Sequence, residues 1–427
     1  MDYKQMCCKQ VHRIVFFAAW LSVFSAGAQS RKSCIKDTIA DDQIFSVSFH
    51  REDFPLSIPF IYLSSDEHLE LMFDDLSPLQ RDFSWQLIYC NRFWEEEALS
   101  QQEYMEGFPD TRIYDIKTSS NTTVSYRNFR LIFPAENMQI LLSGNYVLRI
   151  YFTDHPEQTV LTKRFFVSEN SSVPEVFYKP ADEPSAGGQS FGISWEAPAQ
   201  KNVNPDHFHL FALQNLRWQF EKELPEARSS GKKSFASCLP GECVFEGGNE
   251  YMNFDTKSRR YQSPRIKEME FKAPYYHIYL YDDKVDSYSP YFFTEDINGN
   301  FLVENNETKE DRNEADYMYI HFSLNAGQPF IDEDVYLYGA LTNRNLADRY
   351  RMQYNFRSRR YEISLLLKQG YYNYEYILKP EKGAPSYTLN GSHSETGNEY
   401  LFLLYYTDET RNYDRLLGLK VYNTLLR

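Results

Sequence analysis

His207 and His209 lie two residues apart, and in an extended chain residues at that spacing point to one face. With Asp206 beside them they could form part of a metal site. A metal centre needs a further ligand at a fixed spacing, and none follows, so two surface histidines are the simpler expectation. His321 shares a strand face with Tyr319, which suits a hydrogen-bonded structural histidine. Asp296-Ile297-Asn298-Gly299-Asn300 has the residue types of a calcium loop. An EF-hand, however, needs glycine at its sixth position and a closing glutamate at its twelfth, and Gly299 is fourth in this run. The same residues read better as a hairpin, with Asn298-Gly299 as a two-residue turn between Phe292-Phe293 and Phe301-Leu302. Asp74-Asp75 and Glu95-Glu96-Glu97 supply carboxylates, but neighbours in a strand point to opposite faces. A glycosidase needs two carboxyls facing one another across a bond, so both runs are expected to be solvated charge. No GxSxG elbow, HExxH pair or Walker loop occurs, and no Cys-His protease arrangement is supported. These residues give no basis for a catalytic, cofactor-binding or metal site, and an enzyme is not expected.

The cysteines point to the compartment rather than to a reaction. Lys4, Lys9 and Arg13 precede the apolar run Ile14–Phe24, and Ala26-Gly27-Ala28 follows it. This is the three-part pattern of a secretory signal peptide over residues 1–28, with cleavage between Ala28 and Gln29. The run is too short to span a bilayer, and Arg31-Lys32-Ser33 before Cys34 is no lipobox, so a soluble exported chain is expected. Cys34, Cys90, Cys238 and Cys243 remain after cleavage, and an even number permits disulfides outside the cytoplasm. Cys238-Leu239-Pro240-Gly241-Glu242-Cys243 is the better candidate, because Pro240-Gly241 favours a tight turn. Nothing local brings Cys34 to Cys90. Zinc is a poor reading, without a second CxxC or a suitably spaced histidine pair.

The formal charge is −15, and the leader removes a net +2, leaving about −17 on the exported chain. That balance argues against nucleic acid and against anionic membrane surfaces. Aromatics make up 17% of the chain, with 34 Tyr and 32 Phe, mostly in alternating runs that suit pleated, half-buried surfaces. Strand signals recur at Leu69–Phe73, Trp85–Tyr89, Tyr126–Phe133, Tyr146–Phe152 and Val160–Val167. Tyr146, Leu148, Ile150 and Phe152 fall on one face. A helical turn fits between Trp94 and Met105. Short strands with regular turns predict an all-β chain of three consecutive immunoglobulin-like β-sandwich domains. The expected divisions are an N-terminal domain over 29–168, a Ser/Pro/Glu/Gly-rich linker over 169–189, a middle domain over 190–324 and a C-terminal domain over 325–427. In the last of these, Tyr361–Lys368 and Tyr371–Leu378 read as two strands around a tight Gln369-Gly370 turn. Tyr372, Tyr374 and Tyr376 share one face, most simply as core, next as a protein interface, last as a glycan platform.

A series of short motifs then runs through nearly the whole exported chain. They are Glu106-Gly107-Phe108, Phe133-Pro134, Ser143-Gly144-Asn145-Tyr146, Gln214-Asn215-Leu216-Arg217-Trp218, Gly247-Gly248-Asn249-Glu250, Phe254-Asp255, Asp296–Phe301, Ala315-Asp316-Tyr317, Gly370-Tyr371-Tyr372, Asn398-Glu399-Tyr400 and Asp414-Arg415-Leu416-Leu417-Gly418. In this order they resemble the plug family of the type IX secretion system. The resemblance implies a non-enzymatic periplasmic subunit, associated with the inner face of the outer membrane of a Gram-negative cell. It implies a partner as well: the giant SprA/Sov-type translocon β-barrel, sealed at its periplasmic mouth while no cargo is present. The family supplies no catalytic residues, and no motif marks the partner interface. The third block also resembles early-set, glycogen-binding-like sandwiches, which carry a tryptophan after an asparagine in the first loop. Here Thr342-Asn343-Arg344-Asn345 has Arg344 at that place, which counts against glycan binding. A periplasmic or surface glycan-binding sandwich protein is the alternative function.

Overall fold

The computed structural model describes residues 34–427 apart from 108, 182–186, 199–203, 232, 286–289, 309, 409, 412 and 426–427. The signal-peptide reading, with its Ala28–Gln29 cleavage point, lies outside the described residues. The fold is nearly all strand, as its aromatic alternation requires, and residues 34–427 cluster as one compact unit. Among the described residues no helix is long and apolar enough to cross a membrane. A short helical turn, Gln101–Tyr104, sits where one was expected and is held by a Ser100–Glu103 capping box.

Sheets of mostly antiparallel strands face one another in pairs around apolar cores. In the first sandwich, Ile44–Arg51, Leu69–Asp75, Arg127–Phe133 and Asp115–Thr118 form one sheet. Thr38–Ile39, His155–Ser168, Gly144–Phe152 and Phe83–Cys90 form the other, with Phe60–Tyr62 parallel to the end of His155–Ser168. Leu69, Leu71 and Phe73 alternate inward from one sheet, and Tyr146, Leu148 and Ile150 from the other, all fully buried in one cluster. Each such side chain contributes about 1.5–3 kcal/mol of burial, which fixes which face turns inward.

The second sandwich is built from two distant stretches of chain. Its one sheet runs Glu175–Pro180, Gly188–Glu196, Ser234–Glu246 and Arg228–Ser229. The facing sheet runs Lys222–Glu223, Phe208–Gln214, Glu399–Asp408 and Tyr413–Asn423. The third sandwich is inserted between Glu246 and Glu399. Met252–Asp255, Gly370–Pro380, Phe301–Val303 and Glu333–Tyr338 make one side. Ile266–Lys272, Tyr275–Leu280, Tyr317–Asn325, Arg360–Lys368 and Gln353–Asn355 make the other.

The all-β sandwich architecture holds, but the chain divides differently from the expected 190–324 and 325–427. A boundary at 324/325 would cut the strand Tyr317–Asn325, which pairs with Tyr275–Leu280 on one side and Arg360–Lys368 on the other. The strand Phe208–Gln214 is completed by Glu399–Asp408, so the last two strands close the second sandwich rather than the third. Strand signals in a sequence carry no record of the pairing partner, which is why this insertion was not legible. Residues 169–189 are only in part a connector, because Glu175–Pro180 is an edge strand paired with Gly188–Glu196. Arg360–Lys368 and Gly370–Pro380 are both strands, yet they form no hairpin: the chain crosses at Gln369 from one sheet of the third sandwich to the other. Glycine is required at 370, since a Cβ there would stand 2.1 Å from the Leu302 carbonyl oxygen.

Candidate functional site at the junctions between sandwiches

The residues singled out for chemistry are scattered. His207 ends the 3₁₀ turn Pro205–His207, so it does not share a strand face with His209; its ring packs 5.7 Å from Tyr406. His209 lies 3.3 Å from Glu223, and burial and Arg92 together outweigh that carboxylate, lowering its pKa. Among the described residues no three His, Cys, Asp or Glu side chains are grouped to hold a metal ion. Asn298 and Gly299 do form a turn with positive φ at both positions, 52° and 75°. The turn is not a hairpin, because Phe301–Val303 pairs with Gly370–Tyr372 while Phe292 and Phe293 belong to no strand and are exposed. Asp296 caps this turn, accepting from the backbone N–H groups of Tyr251 (2.6 Å) and Asn298 (2.8 Å), and burial pushes its pKa up to about 6.

Cys238 and Cys243 are joined by a disulfide with Cα atoms 5.7 Å apart. They staple the base of a bulge within the strand Ser234–Glu246, where Cys238 pairs with Ile193 and Cys243 with Phe191. Cys34 and Cys90 are free thiols. The segment Trp94–Glu97 runs between them, hydrogen-bonded to Ile35 on one side and Tyr89 on the other. Burial pushes the Cys90 thiol up to about 12. Tyr372, Tyr374 and Tyr376 are core, each almost wholly buried. Their hydroxyls donate to the Lys368 carbonyl (2.6 Å) and to Asp283 (2.8 and 2.6 Å).

Asp74 and Asp75 are not solvated, contrary to the sequence expectation. Both are fully buried, because each has a charged partner that the sequence does not place beside it. Asp75 is clasped by Arg81 and Arg127 (2.5 and 2.7 Å) within the first sandwich. Asp74 instead accepts from Lys368 Nζ (2.7 Å) and the Tyr317 hydroxyl (2.8 Å), both in the third sandwich. Burial lowers the Lys368 pKa, and Asp74 opposes that shift. Around this pair, Asp316 accepts from the Thr123 backbone and hydroxyl (3.1 and 3.0 Å), and Arg312 reaches Asp115 and Asn128.

The other two junctions are built alike. Between second and third sandwiches, Arg217 grips Glu375 through two bonds of 2.8 Å, and both residues are buried. Burial opposes the Arg217 charge, yet Glu375 holds its pKa well above the ordinary value. Between first and second sandwiches, Arg92 pairs with Asp414 (2.9 Å) and Arg415 with Glu169 (2.8 and 2.7 Å). The Tyr405 hydroxyl donates to Asn145 (2.6 Å), and an apolar cluster containing Trp94, Phe166, Phe211 and Tyr405 fills the same seam. Arg344, the residue standing where glycan-binding sandwiches carry a tryptophan, is part of this framework. It donates to Asn300 Oδ1 (2.6 Å) and to the Asn215 carbonyl (3.2 Å). Every pair of sandwiches is thus bridged by charged groups, and removing one partner of a buried pair leaves the other charge alone, a change that costs about 3–5 kcal/mol.

Residues 44–169 match the family model described as the type 9 secretion system plug protein 1st domain. The chain is also similar to a crystal structure of a hypothetical protein from Parabacteroides merdae ATCC 43184. The two are 28% identical with a TM-score of 0.88, and the likeness covers 92% of this chain and 100% of that one. No curated protein matches the chain significantly. The matched segment runs from the strand Ile44–Arg51 to the end of His155–Ser168, so the first sandwich is similar to the first domain of type 9 secretion system plug proteins.

Proposed function

We propose that this chain is a non-enzymatic periplasmic subunit that binds the periplasmic mouth of a SprA/Sov-type outer-membrane β-barrel and seals it while no cargo is present. The observation that carries this reading is the plug first-domain match over residues 44–169. A component of the type 9 machinery belongs to the envelope of a Gram-negative cell. A barrel of very many strands encloses an aqueous channel, so an idle translocon leaks unless something fills its mouth. A cap must hold its shape against that opening. Three sandwiches fixed to one another by buried ion pairs suit this better than modules on flexible linkers. The chain would dock by surface complementarity, with aromatic anchors inside a polar rim.

The test is affinity capture with the tagged full chain from outer membranes, in a detergent that keeps barrels folded. The expected result is recovery of a giant β-barrel protein in stoichiometric amount. Recovery of soluble periplasmic proteins alone contradicts the reading.

A further inference from the structure

The strand Ile44–Arg51 bulges at Ser46, whose φ is 49°, and its register against Leu69–Asp75 slips between Phe45 and Ser48. Between this irregular stretch and the third sandwich lies a crevice with two chambers. The larger, about 230 Å³, is walled mainly by Ile44, Phe45, Leu341, Leu365, Leu367 and Tyr372. The smaller, about 60 Å³, opens beside it, and the two share Val47, Phe301, Ala340 and Asn343 as walls.

The small chamber has the opposite character. Lys163, Arg164 and Arg344 line it against a single carboxylate, Asp37. Asp37 is already engaged by Lys163 (3.1 Å) and Arg164 (3.0 Å), while Arg344 donates to the neutral oxygens of Asn300 and Asn215 and faces the Glu399 carboxylate without a hydrogen bond to it. Asn343, 6% exposed, stands at the boundary of the two chambers. Its Oδ1 accepts from Lys163 Nζ (2.7 Å), and its Nδ2 has no partner. A buried amide donor without an acceptor is rare in a folded protein and calls for one. A water could serve Asn343, but the larger chamber is mostly apolar, with Asp42, Ser46 and Arg349 as its other polar walls, and pockets lined mainly by apolar groups take up apolar molecules.

We propose that this crevice binds a small amphiphile ending in a carboxylate, its apolar tail in the larger chamber and its carboxylate on Asn343 Nδ2 beside Lys163 and Arg344. The larger chamber holds roughly eight heavy atoms at about 30 Å³ each, so octanoate is the matching probe. The site joins the first and third sandwiches, so occupancy stabilises that junction. None of this depends on what the outer surface of the chain binds.

The experiment is thermal unfolding of the purified full chain with octanoate, and with octanol as the uncharged control. Octanoate is expected to raise Tm by about 2 °C or more, and octanol by less. Asn343→Asp, nearly the same shape and at ease with the positive φ of 54° at this position, is expected to lose the octanoate response and keep that of octanol. Ala340→Leu, which fills the crevice, is expected to lose both. No rise with octanoate overturns the proposal. An octanoate rise that persists in Asn343→Asp, or in a folded Ala340→Leu, also overturns it, by showing adventitious binding elsewhere.

Discussion

The polar groups between sandwiches and those on the outer face of the third sandwich solve the same problem in different ways. At the junctions, Asp74, Lys368, Arg217 and Glu375 are buried and meet partners from another part of the chain. On the outer face, Tyr275, His277, Tyr279, Tyr319 and His321 remain half-exposed and satisfy one another within a single sheet. Tyr319 packs on Tyr275 and His277, Tyr279 stacks on His321 at 4.3 Å, and the two histidines share a 2.9 Å hydrogen bond. His321 also bonds Ser364 at 2.7 Å, and burial followed by His277 and Lys272 holds its pKa down at about 4. The outer set can lose a member and re-solvate. The junction set cannot, because each loss strands a charge. The arrangement of the sandwiches is therefore set by charge pairing at every junction, together with an apolar cluster between the first and second sandwiches, whereas the stability of each sandwich comes from its apolar core.

The comparison breaks most sharply at Lys368. Lys368→Met leaves Asp74 buried beside only neutral donors, and is expected to cost about 3–5 kcal/mol in the first unfolding transition in urea. Asp74→Leu combined with Lys368→Met is expected to restore most of that loss, since an apolar pair of similar volume is tolerated where a lone charge is not. Arg217→Met is the same experiment at the second junction, with an expected loss of about 3 kcal/mol that Glu375→Leu partly reverses. If these variants unfold like the wild type, the junctions are not held as described.

A subtler probe is Glu221, whose pKa burial raises to about 7 against the pull of Arg164. A carboxyl whose folded pKa exceeds its unfolded value adds stability at low pH, and that stability is lost as pH rises through about 7. Melting temperatures are expected to fall between about pH 4.5 and pH 7 for the wild type, and Glu221→Gln to remove that step. On the outer face the sign is reversed. His321 has a depressed pKa, so its contribution is present above the ordinary histidine value and lost as pH falls toward about 4. His321→Gln is expected to flatten the acid side of the stability profile. Tyr275→Ala on the same ladder is expected to change stability at pH 7 by no more than about 1 kcal/mol.

How far the sequence reveals this molecule depends on the range of the interaction. Alternation within one strand was enough to place Tyr146, Leu148 and Ile150 inward, and the Tyr372, Tyr374 and Tyr376 row as core. The turn at Asn298-Gly299 was legible too, because its backbone conformation is a local property. Its hairpin was not, since the strand after it pairs with a segment some seventy residues on. Asp74-Asp75 looked like surface charge because the lysine that neutralises Asp74 is 294 residues away. The same distance hid the junctions as a whole. Arg217 and Glu375 are 158 residues apart, and neither carries a local sign of a partner. Arg344 stands out in the sequence only for the tryptophan it replaces, and its part in joining Asn215 to Asn300 depends on the fold.

The central claim is that this rigid array closes an outer-membrane pore, and the most direct measurement is envelope permeability. Cells lacking this chain should take up large antibiotics that the intact outer membrane excludes. Re-expressed wild type should restore exclusion, and Lys368→Met should restore it less well. Uptake unchanged by removing the chain would contradict the account.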